Sequence, residues 1–163
     1  MKKLAVSLFV LLFCQVVFSQ QQNIPILKYE QLEAKIKSHN KDILVVNFWS
    51  TTCAPCVKEL PYFENVNKKH GENPNFKMLL ISLDRPKDIE KIKQFLSSKN
   101  MTSEVLLLDD IKRMNTWIPR FEKDWGGEIP VTLFYKNSNK IYFHNGEISQ
   151  EELEQKINEI QNL

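Results

Sequence analysis

The chain has 163 residues, with 22 Lys and Arg against 20 Asp and Glu, three His and a formal charge of +2. That balance gives no electrostatic reason to expect nucleic acid or an anionic membrane surface as partner. Three cysteines are also too few for a disulfide-built scaffold at this length.

Met1-Lys2-Lys3 followed by the apolar run Leu4 to Phe18 reads as a secretory signal peptide, too short to span a bilayer comfortably. Cleavage is expected after Ser19, where Gln20-Gln21-Gln22-Asn23 turns polar. An uncleaved membrane anchor is the competing reading, and the short apolar stretch counts against it. A lipoprotein would use Cys14, but bulky Phe13 precedes it where a small residue is expected. Removing residues 1–19 takes away Lys2 and Lys3 and leaves one domain, 20–163, of 144 residues with 20 basic and 20 acidic side chains. Cys14 departs as well, so only Cys53 and Cys56 remain. An exported chain with a single close-spaced pair is expected to use it for chemistry rather than for support.

Along the chain, Tyr29, Leu32 and Ile36 mark one face of a first helix ending near His39-Asn40. Ile43 to Trp49 is an almost unbroken apolar run, the pattern of a strand covered on both faces. The next helix carries Cys56, Leu60, Phe63 and Val66 on one side. Basic Lys68-Lys69-His70 suit its negative end, and Gly71 is expected to supply a left-handed stop. Pro61 removes one helical hydrogen bond and crowds the carbonyl of Val57, so a kink is expected there, with the apolar period continuing beyond it.

Met78 to Leu83 reads as a second strand, Ile89, Ile92, Phe95 and Leu96 as an amphipathic helix, and Val105 to Leu108 as a short third strand before Asp109-Asp110. Ile111, Met114, Ile118, Phe121 and Trp125 keep helical spacing, but Pro119 disfavours helix at Ile118; the expectation is a broken helix restarting at Pro119. Val131 to Tyr135 and Lys140 to Phe143 flank the turn sequence Lys136-Asn137-Ser138-Asn139, and Leu153, Ile157 and Ile160 complete a closing helix. Alternation first and a hairpin last predict an α/β fold, a mixed sheet with helices on both faces. No repeat or linker suggests a second domain.

Cys53-Ala54-Pro55-Cys56 follows the first strand and opens a helix. Two thiols at that spacing close a disulfide without large backbone movement. The unpaired N–H groups and the dipole of the helix start favour a sulfur anion. The outer thiol is thereby a nucleophile near neutral pH, and the inner one lies ready to resolve a mixed disulfide. Zinc would need about four ligands; this pair supplies half, and His39, His70 and His144 are scattered, reading as surface residues with His70 complementing the helix dipole. Haem attachment would need histidine at Val57. No cofactor is expected.

The segment Asn47-Phe48-Trp49-Ser50-Thr51-Thr52-Cys53-Ala54-Pro55-Cys56-Val57-Lys58-Glu59-Leu60-Pro61 resembles the active-site segment of the thioredoxin superfamily. Glu59 and Pro61 point to its exported TlpA/ResA-like branch of thiol–disulfide oxidoreductases. Glu128-Ile129-Pro130-Val131-Thr132 resembles that fold's cis-proline segment, which faces the dithiol. The peroxidase branch places its proline and threonine differently before one cysteine, a pattern not seen here.

The resemblance implies a thioredoxin-like three-layer fold, a Cys53–Cys56 redox disulfide, and backbone groups beside Ile129 and Pro130 that hold an extended substrate by strand addition. It also implies protein disulfide or dithiol substrates, a membrane-bound dithiol protein as electron donor, and a monomer working in the periplasm in cell redox homeostasis. Reductase work is favoured over oxidase work. A non-catalytic binding module with a structural disulfide is the alternative.

Three departures bear on proton transfer. Asn47 stands where thioredoxin has a buried acid, Leu80 where it has a lysine, and Thr52 where it has a tryptophan before the first cysteine. Glu59, three positions after Cys56, is the substitute proton carrier, against a surface or helix-start role; Glu128 reads as solvated. Trp49 is expected beside the dithiol, shielding the thiolate or packing the core, and Trp117 and Trp125 as packing residues.

Overall fold

The computed structural model describes residues 23–39 and 42–163; the signal-peptide reading of 1–19 falls outside them. The elements, in order, are β1 (Ile26–Leu27), α1 (Tyr29–Ser38), β2 (Ile43–Trp49), α2 (Ala54–His70), β3 (Phe76–Ser82), α3 (Ile89–Ser98), β4 (Glu104–Leu108), α4 (Met114–Phe121), β5 (Val131–Lys136), β6 (Asn139–Asn145) and α5 (Gln150–Gln161). They build one six-stranded sheet in the order β1-β4-β3-β2-β5-β6. β1, β4, β3 and β2 run parallel, and β5 and β6 are antiparallel to their neighbours.

β2 lies inside the sheet because every one of its residues is buried. Its alternation divides the core. Ile43, Val45 and Trp49 join Cys56, Leu60, Phe63 and Val66 of α2, Ile92 and Leu96 of α3, and Leu153, Ile157 and Ile160 of α5. Leu44, Val46 and Phe48 face Leu32 and Ile36 of α1 together with Trp117, Ile118 and Phe121 of α4 and Trp125. This is the expected mixed α/β sheet covered on both faces.

The structure corrects the reading at several points. β1 was not foreseen; it pairs parallel with β4, Ile26 opposite Leu107, and two residues are too short to show a period. α4 is continuous through Pro119, preceded by a 3-10 turn at Ile111–Arg113, so no helix restarts at Pro119. The proline costs one ladder bond, but Trp117, Ile118 and Phe121 are buried against the sheet and Trp117 Nε1 donates to the Asp110 carbonyl at 2.8 Å. Tertiary packing overrides the local preference.

α2 runs without interruption through Pro61. Gly71 is right-handed, with φ −64°, so it is no left-handed stop. A Cβ there would lie 2.6 Å from the Asn67 carbonyl oxygen, so close approach rather than handedness calls for glycine. The β5–β6 hairpin turns on Asn137 and Ser138, both at positive φ, the backbone of a two-residue primed turn.

α2 is fixed at mid-length by a buried carboxylate. Glu64 accepts hydrogen bonds from the backbone N–H and hydroxyl of both Thr102 and Ser103, at 2.6 to 3.0 Å, tying the helix to the start of β4. Burial alone would raise its pKa, yet these donors hold it below the usual carboxylate value.

Candidate active site

The cysteine pair sits where β2 hands over to α2, at the carboxyl end of the central strand. Cys53 is the N-cap residue of α2 and is partly exposed, whereas Cys56, in the first turn, is fully buried. They form a disulfide with S–S 2.03 Å and Cα–Cα 5.3 Å. The Cys56 backbone N–H donates to Cys53 Sγ at 3.3 Å. One of the unpaired donors of a 17-residue helix is thus aimed at the outer sulfur, the arrangement that stabilises a thiolate there.

Across from the pair, the Ile129–Pro130 bond is cis. The Ile129 carbonyl oxygen lies 3.6 Å from Cys53 Sγ. Trp125 Nε1 donates to the neighbouring Glu128 carbonyl at 2.7 Å, and the Gly146 N–H donates to the Pro130 carbonyl at 3.0 Å, so the loop is held from both sides. Trp125 therefore supports this loop besides packing the core. The Glu128 side chain is exposed and accepts a hydrogen bond from Asn145, in keeping with a solvated acid.

Glu59 is fully buried, which excludes the surface role. It shares the α2 face of Cys56, one turn on. Its Oε1 accepts from Asn47 Nδ2 at 2.8 Å and its Oε2 from the Ile148 N–H at 2.9 Å. Burial pushes its pKa up to about 7; the two donors pull downward and the charge of Glu147 adds to the rise. A carboxyl poised near neutrality lies one helical turn after Cys56 on α2, while the strand position expected for an acid holds Asn47, opposite Leu80 and Thr132 in register.

Trp49 is buried in the same core layer as Cys56, 5.7 Å from the Phe95 ring, so packing is one part it plays. The three histidines are half-buried at the surface. His70 packs tilted against Phe76, ring centroids 5.3 Å apart, and burial, reinforced by Lys69, lowers its pKa, so Lys68 and Lys69 rather than His70 supply the positive charge at the helix end.

Asp84, just past β3, escaped the sequence reading. Its buried carboxylate accepts from Ser50 Oγ (3.0 Å), the Thr51 N–H (3.0 Å), Thr51 Oγ1 (2.7 Å) and Ser82 Oγ (2.8 Å). Ser50 Oγ in turn accepts from the Thr52 N–H at 3.2 Å, and the Ser50 carbonyl accepts from the Cys53 N–H at 3.2 Å. Asp84 thus holds the loop that presents Cys53. Asp84→Ala is expected to lower stability by about 3 kcal/mol, since it strands several buried donors, and to slow Cys53 alkylation; denaturant unfolding and thiol kinetics check both.

Comparison with known proteins places this geometry. The profile of the AhpC/TSA family matches residues 20–144. The chain belongs to the AhpC/TSA family. Among curated relatives of this thioredoxin-like family, the thiol–disulfide oxidoreductase ResA of Bacillus thuringiensis subsp. konkukian is 25% identical over 141 residues, covering 85% of this chain and 75% of that one. Solved structures share the fold, two of them as follows. A thioredoxin-family thiol:disulfide interchange protein of Chlorobium tepidum TLS superposes with TM-score 0.62 at 20% identity, over 78% of this chain and 83% of that one. A secreted disulfide oxidoreductase of Mycobacterium tuberculosis does so with TM-score 0.55 at 22% identity, over 75% and 82%. The AhpC/TSA chain described here is therefore of the thiol–disulfide oxidoreductase kind, with its Cys-x-x-Cys pair at disulfide distance. Among the described residues, no cluster of three His, Cys, Asp or Glu could hold a metal, and no helix is long and apolar enough to cross a membrane.

Proposed function

We propose that this protein is an exported thiol–disulfide oxidoreductase that reduces disulfides of partner proteins. Reduced Cys53 attacks a partner sulfur, one partner thiol leaves, and a mixed disulfide forms. Cys56 then attacks Cys53 Sγ, releasing the second partner thiol and leaving the Cys53–Cys56 disulfide. Two electrons pass to the partner, and a membrane-bound dithiol protein restores them. The observation that carries this reading is the asymmetry of the pair: an outer sulfur partly exposed and bonded by a helix N–H, an inner sulfur enclosed.

Glu59 serves as the proton carrier, taking the proton that Cys56 gives up on attack and returning it when the enzyme is reduced again. The cis Ile129–Pro130 loop is the place where a partner's backbone lies while its disulfide meets Cys53. Export rests on residues 1–19 and on the secreted structural neighbour; the reductive direction rests on the resemblance of residues 47–61 to the TlpA/ResA-like branch. A monomer suffices for this chemistry, because both sulfurs and the proton carrier belong to one chain.

The rival reading is a binding module with a structural disulfide. Cys56→Ser decides between them. The variant, whose Cys53 attacks but cannot be resolved, is expected to accumulate covalent, dithiothreitol-reversible partners in cell extracts. A variant that stays uncoupled from every partner, while the wild-type pair remains oxidised in millimolar glutathione, would favour the module.

A further inference from the structure

Asn47 lies at the centre of β2, fully buried, between Leu80 of β3 and Thr132 of β5. Its amide gives both hydrogens away, to Glu59 Oε1 at 2.8 Å and to Thr132 Oγ1 at 3.1 Å. Its own carbonyl oxygen, Oδ1, is buried without a partner. Such an orphan in the middle of a sheet calls for an explanation, because a buried acceptor ordinarily finds a donor.

The chemistry of Glu59 supplies one. As a carboxylate it only accepts, and it is satisfied by Asn47 Nδ2 and the Ile148 N–H. As an acid it carries an O–H that needs an acceptor. The Ile148 N–H occupies Oε2, so the proton belongs on Oε1, where it would meet the Asn47 N–H head on. With the amide turned over, the two lone pairs of Oδ1 face both the Glu59 O–H and the Thr132 hydroxyl. Each orientation leaves one end of the amide unmatched, the carbonyl oxygen as it stands and the two N–H donors when turned over, and the proton on Glu59 decides which orientation finds partners.

We propose that Asn47 is a positioning residue for Glu59 whose carboxamide turns end for end with the Glu59 proton: Nδ2 faces the carboxylate and Oδ1 faces the acid. This rests on Glu59 as the proton carrier. Asn47 moves no proton itself; it supplies a matched hydrogen bond to either form. The surroundings leave the exchange to these groups. Asn47 and Thr132 are neutral, Leu80 is apolar, the disulfide does not titrate, and the charge acting on Glu59 is Glu147, ion-paired with Lys58 at 2.5 Å.

Nuclear magnetic resonance of the oxidised, isotope-labelled protein across neutral pH tests it. The Glu59 carboxyl carbon is expected to titrate near pH 7. The Asn47 Nδ2 protons are expected to shift with the same midpoint and exchange faster on the acid side. In Asn47→Leu both forms of Glu59 lose their partner, so the midpoint is expected to move by well under the roughly one unit that loss of a fixed donor to the carboxylate would give. A titrating Glu59 beside an Asn47 amide that does not change, or a midpoint raised by a full unit or more in Asn47→Leu as a fixed donor would require, overturns the inference alone. A Glu59 that does not titrate near neutrality overturns the proton-carrier reading, and this inference with it.

Discussion

Cys53→Ser is expected to abolish disulfide reduction, lowering turnover of insulin or a dye-linked disulfide by at least about a thousandfold. A hydroxyl is almost entirely protonated at neutral pH, and oxygen cannot take part in sulfur exchange. The Cys56 N–H and helix start that stabilise a sulfur anion would then have no thiolate to act on. Folding should survive, because Cys53 is partly exposed at an N-cap, where serine is itself a good cap. Near-wild-type unfolding with turnover lost is therefore the expected pair of results. Retained turnover would place the chemistry elsewhere.

Glu59→Gln is expected to have the second largest effect, read in two ways. The carboxyl titrates near 7 in the folded protein against an ordinary 4.5, so between those values the unfolded chain gives up the proton first. Stability from this group is full below the ordinary value, falls as pH rises through the window, and is flat above the folded value. Glutamine removes that slope. Relative to wild type, the variant should gain about 3 kcal/mol on going from acid to mildly alkaline pH, at 1.36 kcal/mol per pKa unit. Chemical denaturation at a series of pH values measures it. Turnover should fall on the order of a hundredfold and lose its limb near neutrality, since a group that accepts no proton cannot relay one.

Much of this was legible because burial writes a period into the sequence. The unbroken run Ile43 to Trp49 announced a strand covered on both faces, and Cys56, Leu60, Phe63 and Val66 announced the inward face of α2. Glu59 falls three residues after Cys56 and four before Phe63, on that same stripe, so its burial was available from spacing, though its partners were not. Asn47 could be singled out as a polar residue inside an apolar run. That its amide meets Glu59 depends on how deep α2 sits over the sheet.

What stayed hidden was set by register and by tertiary competition. Asp84 serves the loop before Cys53 only because β2 and β3 run side by side with Trp49 opposite Ser82, a pairing no local pattern encodes. β1 gains its identity from β4. At Pro119 a local rule pointed the wrong way, because the rule weighs one lost bond and not the buried Trp117, Ile118 and Phe121 on either side. Gly71 followed composition where geometry answered to a close carbonyl.

The central claim is that the outer sulfur is the reactive one. It is tested most directly by reducing the protein, alkylating it with limiting iodoacetamide over a range of pH, and mapping the modified thiol by mass spectrometry. The account predicts that Cys53 is modified first, with half-maximal rate well below the ordinary thiol value of about 8.5, while Cys56 stays protected until the protein unfolds. Two thiols that both resist alkylation in the folded protein, or a Cys56 that reacts ahead of Cys53, would contradict it.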